Sequence, residues 1–392
     1  MHIKPLSYFL FFLIIGSSIN ISAQAQRKEK IFTKQDTLRG SIGEGRQKWN
    51  VLHYDITVEP NFEMKTISGV NKIKYWDEGV KLMQIDLQEP MQIDSVISAN
   101  GSIKYYREKN VYWLMVRDTA AMYKIKPGPA SLTIYFSGKP KEAKNAPWDG
   151  GWIWKKDEQG NPWMTVACQG LGASVWYPCK DSQADEPDSG AVLRIIAPDT
   201  LMAVGNGRLI NTKELSDQRK EFVWKITAPI NNYNIVPYIG KYAQIADSLA
   251  GEKGNLTMDY WVLKYNEEKG RNNLGDAKKM MVSFEYWFGP YPFYEDGYKL
   301  VEAPHLGMEH QSAIAYGNKF KNGYLGRDLS GTGWGLKWDF IIVHESGHEW
   351  FGNNITSKDI ADMWIHESFT NYSETLFTDY YFGKQAGNEY VI

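Results

Sequence analysis

Two histidines four residues apart constrain the fold of this chain more than any other feature of its sequence. The segment H-E-S-G-H at residues 344–348 follows an apolar run at residues 340–343. On an α-helix, side chains at positions i and i+4 project from the same face, so the imidazoles of His344 and His348 can reach one ion. The pattern predicts a metal-binding helix over residues 338–351. The alternative is a helix whose two histidines are hydrogen-bonded and bind no metal.

A third ligand is needed, because catalytic zinc sites use three protein ligands and leave one position open. Glu367 stands 19 positions after His348, at the start of the next helical pattern. The intervening residues are enough for a loop and a returning helix. We therefore expect one zinc ion per chain on His344, His348 and Glu367, although cobalt or manganese suits the same donors. The alternative for Glu367 is a carboxylate that stabilises a helix N-terminus.

Glu345 follows the first histidine of the pair and is set to one side of the metal-binding face. In that position its carboxylate can take a proton from water instead of coordinating the metal. We predict that Glu345 is the general base of a hydrolase.

Composition excludes several other classes of protein. The 392 residues include 44 Lys and Arg against 46 Asp and Glu, a net charge of -2. This balance argues against a nucleic-acid-binding protein, which needs a basic surface. Two cysteines, Cys168 and Cys179, are too few for a disulfide scaffold, and we expect free thiols although the two could pair.

The N-terminus has the pattern of a secretory signal. Lys4 precedes an apolar run at residues 8–15, and Ala-Gln-Ala at residues 23–25 is typical of a signal-peptidase site. The alternative is a membrane anchor, but the apolar run covers only part of a bilayer. We expect residues 1–25 to be a cleaved signal peptide, and the protein to be periplasmic or extracellular without a stable membrane anchor.

The rest of the chain divides into two regions. Residues 26–44 are polar and aperiodic and predict a flexible lead-in. Residues 45–245 predict a β-rich domain, in which Leu52, Tyr54, Ile56 and Val58 alternate with polar residues. Further strands are predicted at residues 70–76, 81–87, 132–136, 192–196 and 222–226.

The second region, residues 246–392, has helical periodicity. The predicted helices lie at residues 274–288, 338–351 and 367–381. The last pattern continues toward Ile392 without a stop signal, which predicts that the catalytic domain is truncated there. The chain is thus expected to be an α+β protein.

Several segments resemble a known family. The segments H-E-S-G-H-E-W-F-G-N at residues 344–353 and W-I-H-E-S-F at residues 364–369 are similar to those of the zinc aminopeptidases that include aminopeptidase N and leukotriene hydrolase, in the gluzincin clan. F-G-P-Y-P at residues 288–292 and L-G-M-E-H at residues 306–310 resemble two further motifs of that family. The resemblance implies an N-terminal antiparallel β saddle or sandwich followed by an incomplete thermolysin-like metallopeptidase domain.

The resemblance also assigns substrate-binding residues. Glu309 matches the glutamate that binds the free α-ammonium group of a peptide, and Gln169 matches an amide that accepts from the same group. Gly307, Met308 and His310 belong to the same segment and are expected to contact substrate. The family has Asn where this chain has His310, so the role of His310 stays open. The alternatives are a surface carboxylate for Glu309, a loop amide for Gln169 and plain packing for Met308.

Two further features concern the surroundings of the metal. Glu374 lies seven residues after Glu367 and therefore on the same helix face, where it can accept a hydrogen bond from a ligating imidazole or remain a solvated charge. The resemblance places the family's oxyanion-stabilising tyrosine, and a C-terminal helical domain, beyond residue 392.

Five tryptophans crowd one stretch of 29 residues. They suggest a carbohydrate platform, or packing of the β domain and a wall of the cleft. They are Trp148, Trp152, Trp154, Trp163 and Trp176.

The sequence as a whole predicts a secreted zinc aminopeptidase that acts on peptides with a free N-terminus. One alternative is a non-catalytic peptide- or glycan-binding protein on the same fold. Another is a zinc hydrolase with an epoxide-hydrolase side activity.

Overall fold

The computed structural model of the protein describes residues 31–117 and 126–391. The predicted signal peptide, residues 1–25, lies outside the described residues. Within them the chain forms a β-rich N-terminal half and a C-terminal half in which helices pack on one sheet.

The N-terminal half is built from strands joined by short turns. Its helices are α1 (Lys34–Gly40) and α2 (Glu44–Gln47). Its strands are β1 (Trp49–Asn61), β2 (Thr66–Asp77), β3 (Leu82–Asp86), β4 (Gln92–Ser98), β5 (Gly101–Ser102), β6 (Tyr105–Glu108), β7 (Val111–Met115), β8 (Gly128–Gly138), β9 (Gly151–Lys156), β10 (Pro162–Ala167), β11 (Ala191–Pro198), β12 (Met202–Val204), β13 (Arg208–Leu215), β14 (Arg219–Ile226) and β15 (Tyr238–Gly240).

These strands form three sheets within the described ranges. The largest has the order β13-β14-β11-β1-β2-β8-β4-β5, and the smaller ones have the orders β12-β15-β10-β9 and β3-β7-β6. The pairings are antiparallel except for β1 beside β11, which are parallel. The predicted antiparallel β domain is confirmed, with this one parallel pair added.

The alternation along β1 differs from the predicted one at its start. Tyr54, Ile56 and Val58 are fully buried as predicted, but Leu52 is only half-buried and Val51 takes the buried position. The register between β1 and β2 shifts between Val51 and His53. A bulge places two residues opposite one and reverses the alternation on one side of it.

The described part of the segment before β1 is partly helical, whereas the sequence predicts a flexible lead-in at residues 26–44, of which residues 26–30 lie outside the described residues. Thr33 caps α1 by accepting a hydrogen bond from the backbone of Asp36, and the Asp36 carboxylate accepts from the backbone of Thr33 in return. This reciprocal capping fixes the first turn of a helix that has little hydrophobic periodicity. Arg39, in the last turn, donates a hydrogen bond to the carbonyl of Gly170.

The C-terminal half contains a five-stranded sheet and the longer helices. The strands are β16 (Tyr242–Gly251), β17 (Gly254–Leu263), β18 (Tyr298–Glu302), β19 (Gly307–Met308) and β20 (Ile314–Tyr316), in the order β16-β17-β18-β20-β19. The helices are α3 (Glu267–Asn273), α4 (Asp276–Phe288), α5 (Phe340–Gly347), α6 (Trp364–Phe382) and α7 (Lys384–Tyr390).

Two of the predicted helices have different ends in the structure. Helix α5 is shorter than the predicted residues 338–351, although His348 at its C-cap keeps helical angles (φ -64°, ψ -18°). Helix α6 does not run on toward Ile392 but ends at Gly383, whose φ of +92° favours glycine. Helix α7 then folds back, and Tyr390 donates a hydrogen bond to Glu374 of α6.

The two halves share part of one hydrophobic core. The cluster that fills the β sheets of the N-terminal half extends to Met308, Ala313 and Ala315 of the C-terminal sheet. A second cluster lies between that sheet and helices α4, α5 and α6. Strand β19 therefore lies where the halves meet. No helix in the described ranges is long and apolar enough to cross a membrane.

Candidate metal centre and cleft

Helix α5 presents two imidazoles on one face. The Asp339 side chain caps the helix by accepting hydrogen bonds from the backbone of Ile341 and Ile342. The apolar first turn is buried in the second core cluster, which fixes the helix in place. His344 and His348 then lie one turn apart, and their ring centroids are 5.1 Å from each other.

Helix α6 brings a carboxylate to these imidazoles. It passes close to α5 at Gly347, where a Cβ atom would lie only 2.7 Å from Ser373 Oγ. Glu367 Oε2 is 3.5 Å from His344 Nε2 and 3.6 Å from His348 Nε2. The three side chains thus converge as the sequence predicted, with one ligand atom from each within 4.8 Å of the others.

The outer nitrogens of both imidazoles are held by acceptors. His344 Nδ1 is 2.7 Å from Glu374 Oε1, and His348 Nδ1 is 3.0 Å from the carbonyl oxygen of Phe351. A carboxylate and a carbonyl can only accept, so both Nδ1 atoms carry the protons. Both Nε2 lone pairs are therefore free to bind a metal near Glu367.

This donor set fits zinc, which binds imidazole nitrogen and carboxylate oxygen with a fourth position open. Glu374 is buried behind His344, which is the first of the two alternatives that the sequence left open. Tyr390 donates to the other oxygen of Glu374 at 2.8 Å.

Glu345 lies against strand β19. A Cβ atom built on Gly307 would collide with the Glu345 carboxylate, so only glycine leaves room for this approach. Burial raises the pKa of Glu345 to about 7, which suits a group that accepts and returns a proton near neutral pH.

A second carboxylate lies directly after the same strand. Glu309 is almost fully buried and follows directly after β19. Its Oε1 accepts hydrogen bonds from Gln169 Nε2 at 2.5 Å and from the Tyr233 hydroxyl at 2.8 Å. Because Gln169 donates through Nε2, its Oε1 is left to accept from another group.

The backbone around Glu309 is held from both halves of the chain. Asn353, just after the metal-binding helix, donates to the carbonyl of Glu309 at 2.8 Å, and Asn234 donates to Asn353 at 2.7 Å. The chain then turns through Ser312 at a φ of +57°, and Glu349 accepts from the Ser312 backbone at 2.7 Å. The distance between Glu309 and the metal ligands is thus fixed by buried hydrogen bonds.

The structure does not bring His310 into the cleft, which corrects the expectation that it contacts substrate. Its side chain is fully buried, and Nδ1 is 2.6 Å from the Tyr238 hydroxyl. Tyr238 donates to the carbonyl of Ala313, so it accepts from His310. His310 therefore fixes the turn after Glu309 instead of facing a ligand.

The remaining predicted residues surround one cavity of about 320 Å³. Met308 and the three residues of the metal triad all line it. The cavity is lined by Pro147, Trp148, Gln169, Gly170, Leu306, Gly307, Met308, Glu309, Tyr324, Phe340, Ile341, His344, Glu345, His348 and Glu367.

Sequence reasoning missed several residues of this site. Tyr233 and Tyr390 carried no signal, because each is far along the chain from the carboxylate it contacts. Asn353 stood within the quoted motif and could have been singled out there. Trp148 was noted only as one of a tryptophan cluster.

Comparison with known proteins identifies two family domains in the chain. The Peptidase M1 N-terminal domain matches residues 50–233, and the Peptidase family M1 domain matches residues 274–392. The two matches fall on the β-rich half and on the half that contains the metal-binding residues.

Curated relatives carry related names. "Probable aminopeptidase 1" of Sulfurisphaera tokodaii is 25% identical over 82% of this chain and 38% of its own length. Aminopeptidase B of Rattus norvegicus is 24% identical over 59% of this chain and 33% of its own. Leukotriene A-4 hydrolase of Xenopus laevis is 24% identical over 60% of this chain and 36% of its own. The chain thus spans less than two-fifths of the length of each of these relatives.

A solved structure shows the same fold. The M1 zinc metallopeptidase from Deinococcus radiodurans matches with a TM-score of 0.69 and 18% identity, over 86% of this chain and 72% of that one. The resemblance to the zinc aminopeptidases is confirmed, and zinc is the metal that this family and the donor set share. The chain belongs to the peptidase M1 family.

Proposed function

We propose that the protein is a zinc aminopeptidase that removes single residues from the N-termini of peptides. The observation that carries this proposal is the presence, in one cleft, of the triad His344, His348 and Glu367 together with the Glu309–Gln169 pair. A zinc hydrolase needs only the triad and a base. The additional buried carboxylate supplies a reason to select a cationic N-terminus.

The Glu309 carboxylate is the group that binds the substrate's α-ammonium. Its Oε1 already accepts from Gln169 and Tyr233, which hold it in place, and its ionised form makes a charge-assisted hydrogen bond to a cation. The free Oε1 of Gln169 accepts a second ammonium proton. An acylated N-terminus loses the positive charge and cannot make these contacts.

The peptide backbone is expected to lie along β19. This strand is the last of its sheet, and Gly307 and Met308 line the cleft. Its outer edge is therefore available to pair with an extended peptide. We expect pairing there to bring the first peptide bond near Glu345 while Glu309 binds the α-ammonium.

Zinc bound to His344, His348 and Glu367 would supply Lewis acidity toward water and the scissile carbonyl. Glu345 takes the proton from the attacking water onto its carboxylate and delivers it to the leaving amine. Glu374 and the carbonyl of Phe351 keep the two imidazoles in the tautomer that leaves Nε2 unprotonated.

The test compares aminoacyl arylamides with their N-acetylated forms, using zinc-loaded protein. We expect hydrolysis of the free amines alone and complete loss with a chelator. Glu345→Gln should keep bound zinc, measured by elemental analysis, and lose turnover. Equal cleavage of both sets would show a zinc hydrolase without an N-terminal anchor. Bound zinc with no hydrolysis of either set would favour a peptide-binding protein.

We also propose that the protein is exported. The support is the pattern at residues 1–25, a short apolar segment followed by a small-x-small site. Mass spectrometry of the protein from its native cells should find an N-terminus near Gln26. A mature protein that retains residues 1–25 would contradict the proposal.

A further inference from the structure

Trp148 differs from the tryptophans that surround it in the sequence. Trp152, Trp154 and Trp176 are buried in the N-terminal core, and Trp163 is half-buried. Trp148 is 73% exposed, yet it lines the cavity above the metal triad. A large aromatic side chain left exposed at the mouth of a cleft is available to contact a ligand.

The turn that contains Trp148 packs against the segment that contains Gln169. Gly150 donates a backbone hydrogen bond to Pro147 at 3.2 Å, which closes the turn around Trp148. A Cβ atom on Gly150 would lie 2.9 Å from Leu171, two residues after Gln169. The backbone that carries Trp148 is thus held close to the segment of Gln169, the residue proposed to bind the substrate's amine.

Each charged side chain that lines this cavity already has a role in the proposed function. Among the described residues that line it, the acidic and imidazole side chains are His344, Glu345, His348, Glu367 and Glu309. The triad and Glu345 serve the metal and the proton, and Glu309 serves the α-ammonium. The other lining side chains are uncharged, so none is left to pair with a charge on the substrate's first side chain.

We infer that Trp148, with Met308 and Tyr324, forms the pocket for the substrate's first side chain, and that the preferred side chains are aromatic or large and apolar. This inference rests on the proposed function and adds its substrate class. An aromatic side chain gains apolar burial and ring contacts against Trp148. A guanidinium or carboxylate would leave water without a partner of opposite charge, which is unfavourable.

The first experiment measures kcat/KM of the zinc-loaded protein for the arylamides of Phe, Leu, Ala, Arg and Asp. We expect Phe and Leu to exceed Arg and Asp by about tenfold or more, since tenfold corresponds to 1.4 kcal/mol. Trp148→Ala should lower the Phe-to-Ala ratio about tenfold, and Trp148→Phe should largely restore it. Trp76→Ala, which replaces a half-exposed tryptophan of β2 away from the cleft, is the matched control and should leave the ratio unchanged.

A second measurement does not depend on turnover. Isothermal titration calorimetry should show tighter binding of L-phenylalaninamide than of L-argininamide, and Trp148→Ala should remove the difference. If Arg or Asp arylamides are cleaved faster than Phe, or if Trp148→Ala keeps the Phe-to-Ala ratio, the inference is overturned while the aminopeptidase proposal stands. If no arylamide is cleaved, the proposed function fails, and the calorimetric preference alone decides whether the pocket is apolar.

Discussion

At the scale of single residues, the site depends on close contacts in which a larger side chain would not fit. Gly307 is the clearest case, because the Glu345 carboxylate occupies the space where a Cβ atom would stand. The backbone of β19 and the Glu345 carboxylate are therefore closer than a residue with a Cβ atom at position 307 would permit without a shift. This close approach sets the distance between the strand proposed to bind substrate and the group proposed to move the proton.

We predict that Gly307→Ala displaces Glu345 and lowers kcat/KM by about 100-fold, since a shift of about 1 Å has effects of that size. Zinc content should not change, because Gly307 takes no part in the hydrogen bonds that hold His344 and His348. Gly275→Ala is the matched control, since a Cβ there meets nothing within 4 Å. Normal activity of Gly307→Ala would show that the close approach of Gly307 to Glu345 does not set the activity.

A second prediction concerns the residue behind His344. Glu374→Gln keeps the side chain's shape but removes the charge that accepts from His344 Nδ1. We expect zinc affinity to fall about 10- to 100-fold, as measured by competition with a chelator. Tyr390→Phe, which removes only the hydroxyl bonded to Glu374, should have a smaller effect in the same direction. Unchanged zinc affinity in Glu374→Gln would show that the contact between Glu374 and His344 does not affect metal binding.

At the scale of elements, strand β18 carries a buried carboxylate that makes stability depend on pH. Glu302 accepts from the backbone of Leu263 at 2.7 Å and from Asn266 at 2.8 Å. Burial is nevertheless the larger influence, and it raises the pKa of Glu302 to about 7; Lys269 lowers that pKa and Glu158 raises it. The folded state therefore holds a proton on Glu302 that the unfolded state releases near pH 4.5.

A raised pKa in the folded state means that the stabilising contribution is present below pH 4.5 and is lost as pH rises toward 7. We predict that the free energy of unfolding falls by up to about 3 kcal/mol over this window through Glu302. Glu302→Gln cannot ionise and should have a flatter profile in urea titrations from pH 4.5 to 8. An identical slope in both proteins would assign the dependence to other groups, such as Asp339, whose pKa burial also raises to about 7.

The sequence could predict elements whose position follows from local periodicity, but not where those elements are interrupted. The spacing of His344 and His348 is a property of one helix, so the metal pair was predictable from residue numbers alone. The bulge beside Leu52 depends on how β2 pairs with β1, and no local pattern indicates it. Gly383 was overlooked as a stop, although a glycine after a helical pattern is a usual C-terminal signal.

Contacts between segments that are distant in the sequence could not be predicted from it. His310 follows directly on Glu309, so proximity favoured a role in substrate binding. Its hydrogen bond to Tyr238, 72 residues away, instead buries it in the core between the two halves. Tyr233 is 76 residues from Glu309, and only the fold shows that its hydroxyl helps to hold that carboxylate.

At the scale of the whole molecule, both halves of the chain contribute residues to the cleft. Gln169 and Tyr233 of the N-terminal half hold a carboxylate of the C-terminal half. The pair Asn234 and Asn353 makes a second buried link, and Asn353 also holds the carbonyl of Glu309. The proposed amine anchor therefore exists only when the halves are docked.

A double-mutant cycle on Asn234→Ala and Asn353→Ala tests this link between the two halves. We predict a coupling energy of about 1 kcal/mol in the free energy of unfolding, because each single change removes the hydrogen bond between the two amides and leaves one buried atom of the remaining amide without that partner. Both single variants should also raise KM for free-amine substrates more than they lower kcat. Additive effects on stability, with KM unchanged, would mean that the two halves do not depend on this link.

The most direct test of the account follows a decapeptide and its N-acetylated copy by mass spectrometry during incubation with the zinc-loaded protein. In the proposed function the metal triad acts beside Glu309, the buried carboxylate proposed to bind the α-ammonium, so the free peptide should shorten one residue at a time from its N-terminus. The acetylated copy should stay intact, and Glu345→Gln should leave both unchanged. Internal fragments, or shortening of the acetylated peptide, would contradict the claim that Glu309 selects the free N-terminus.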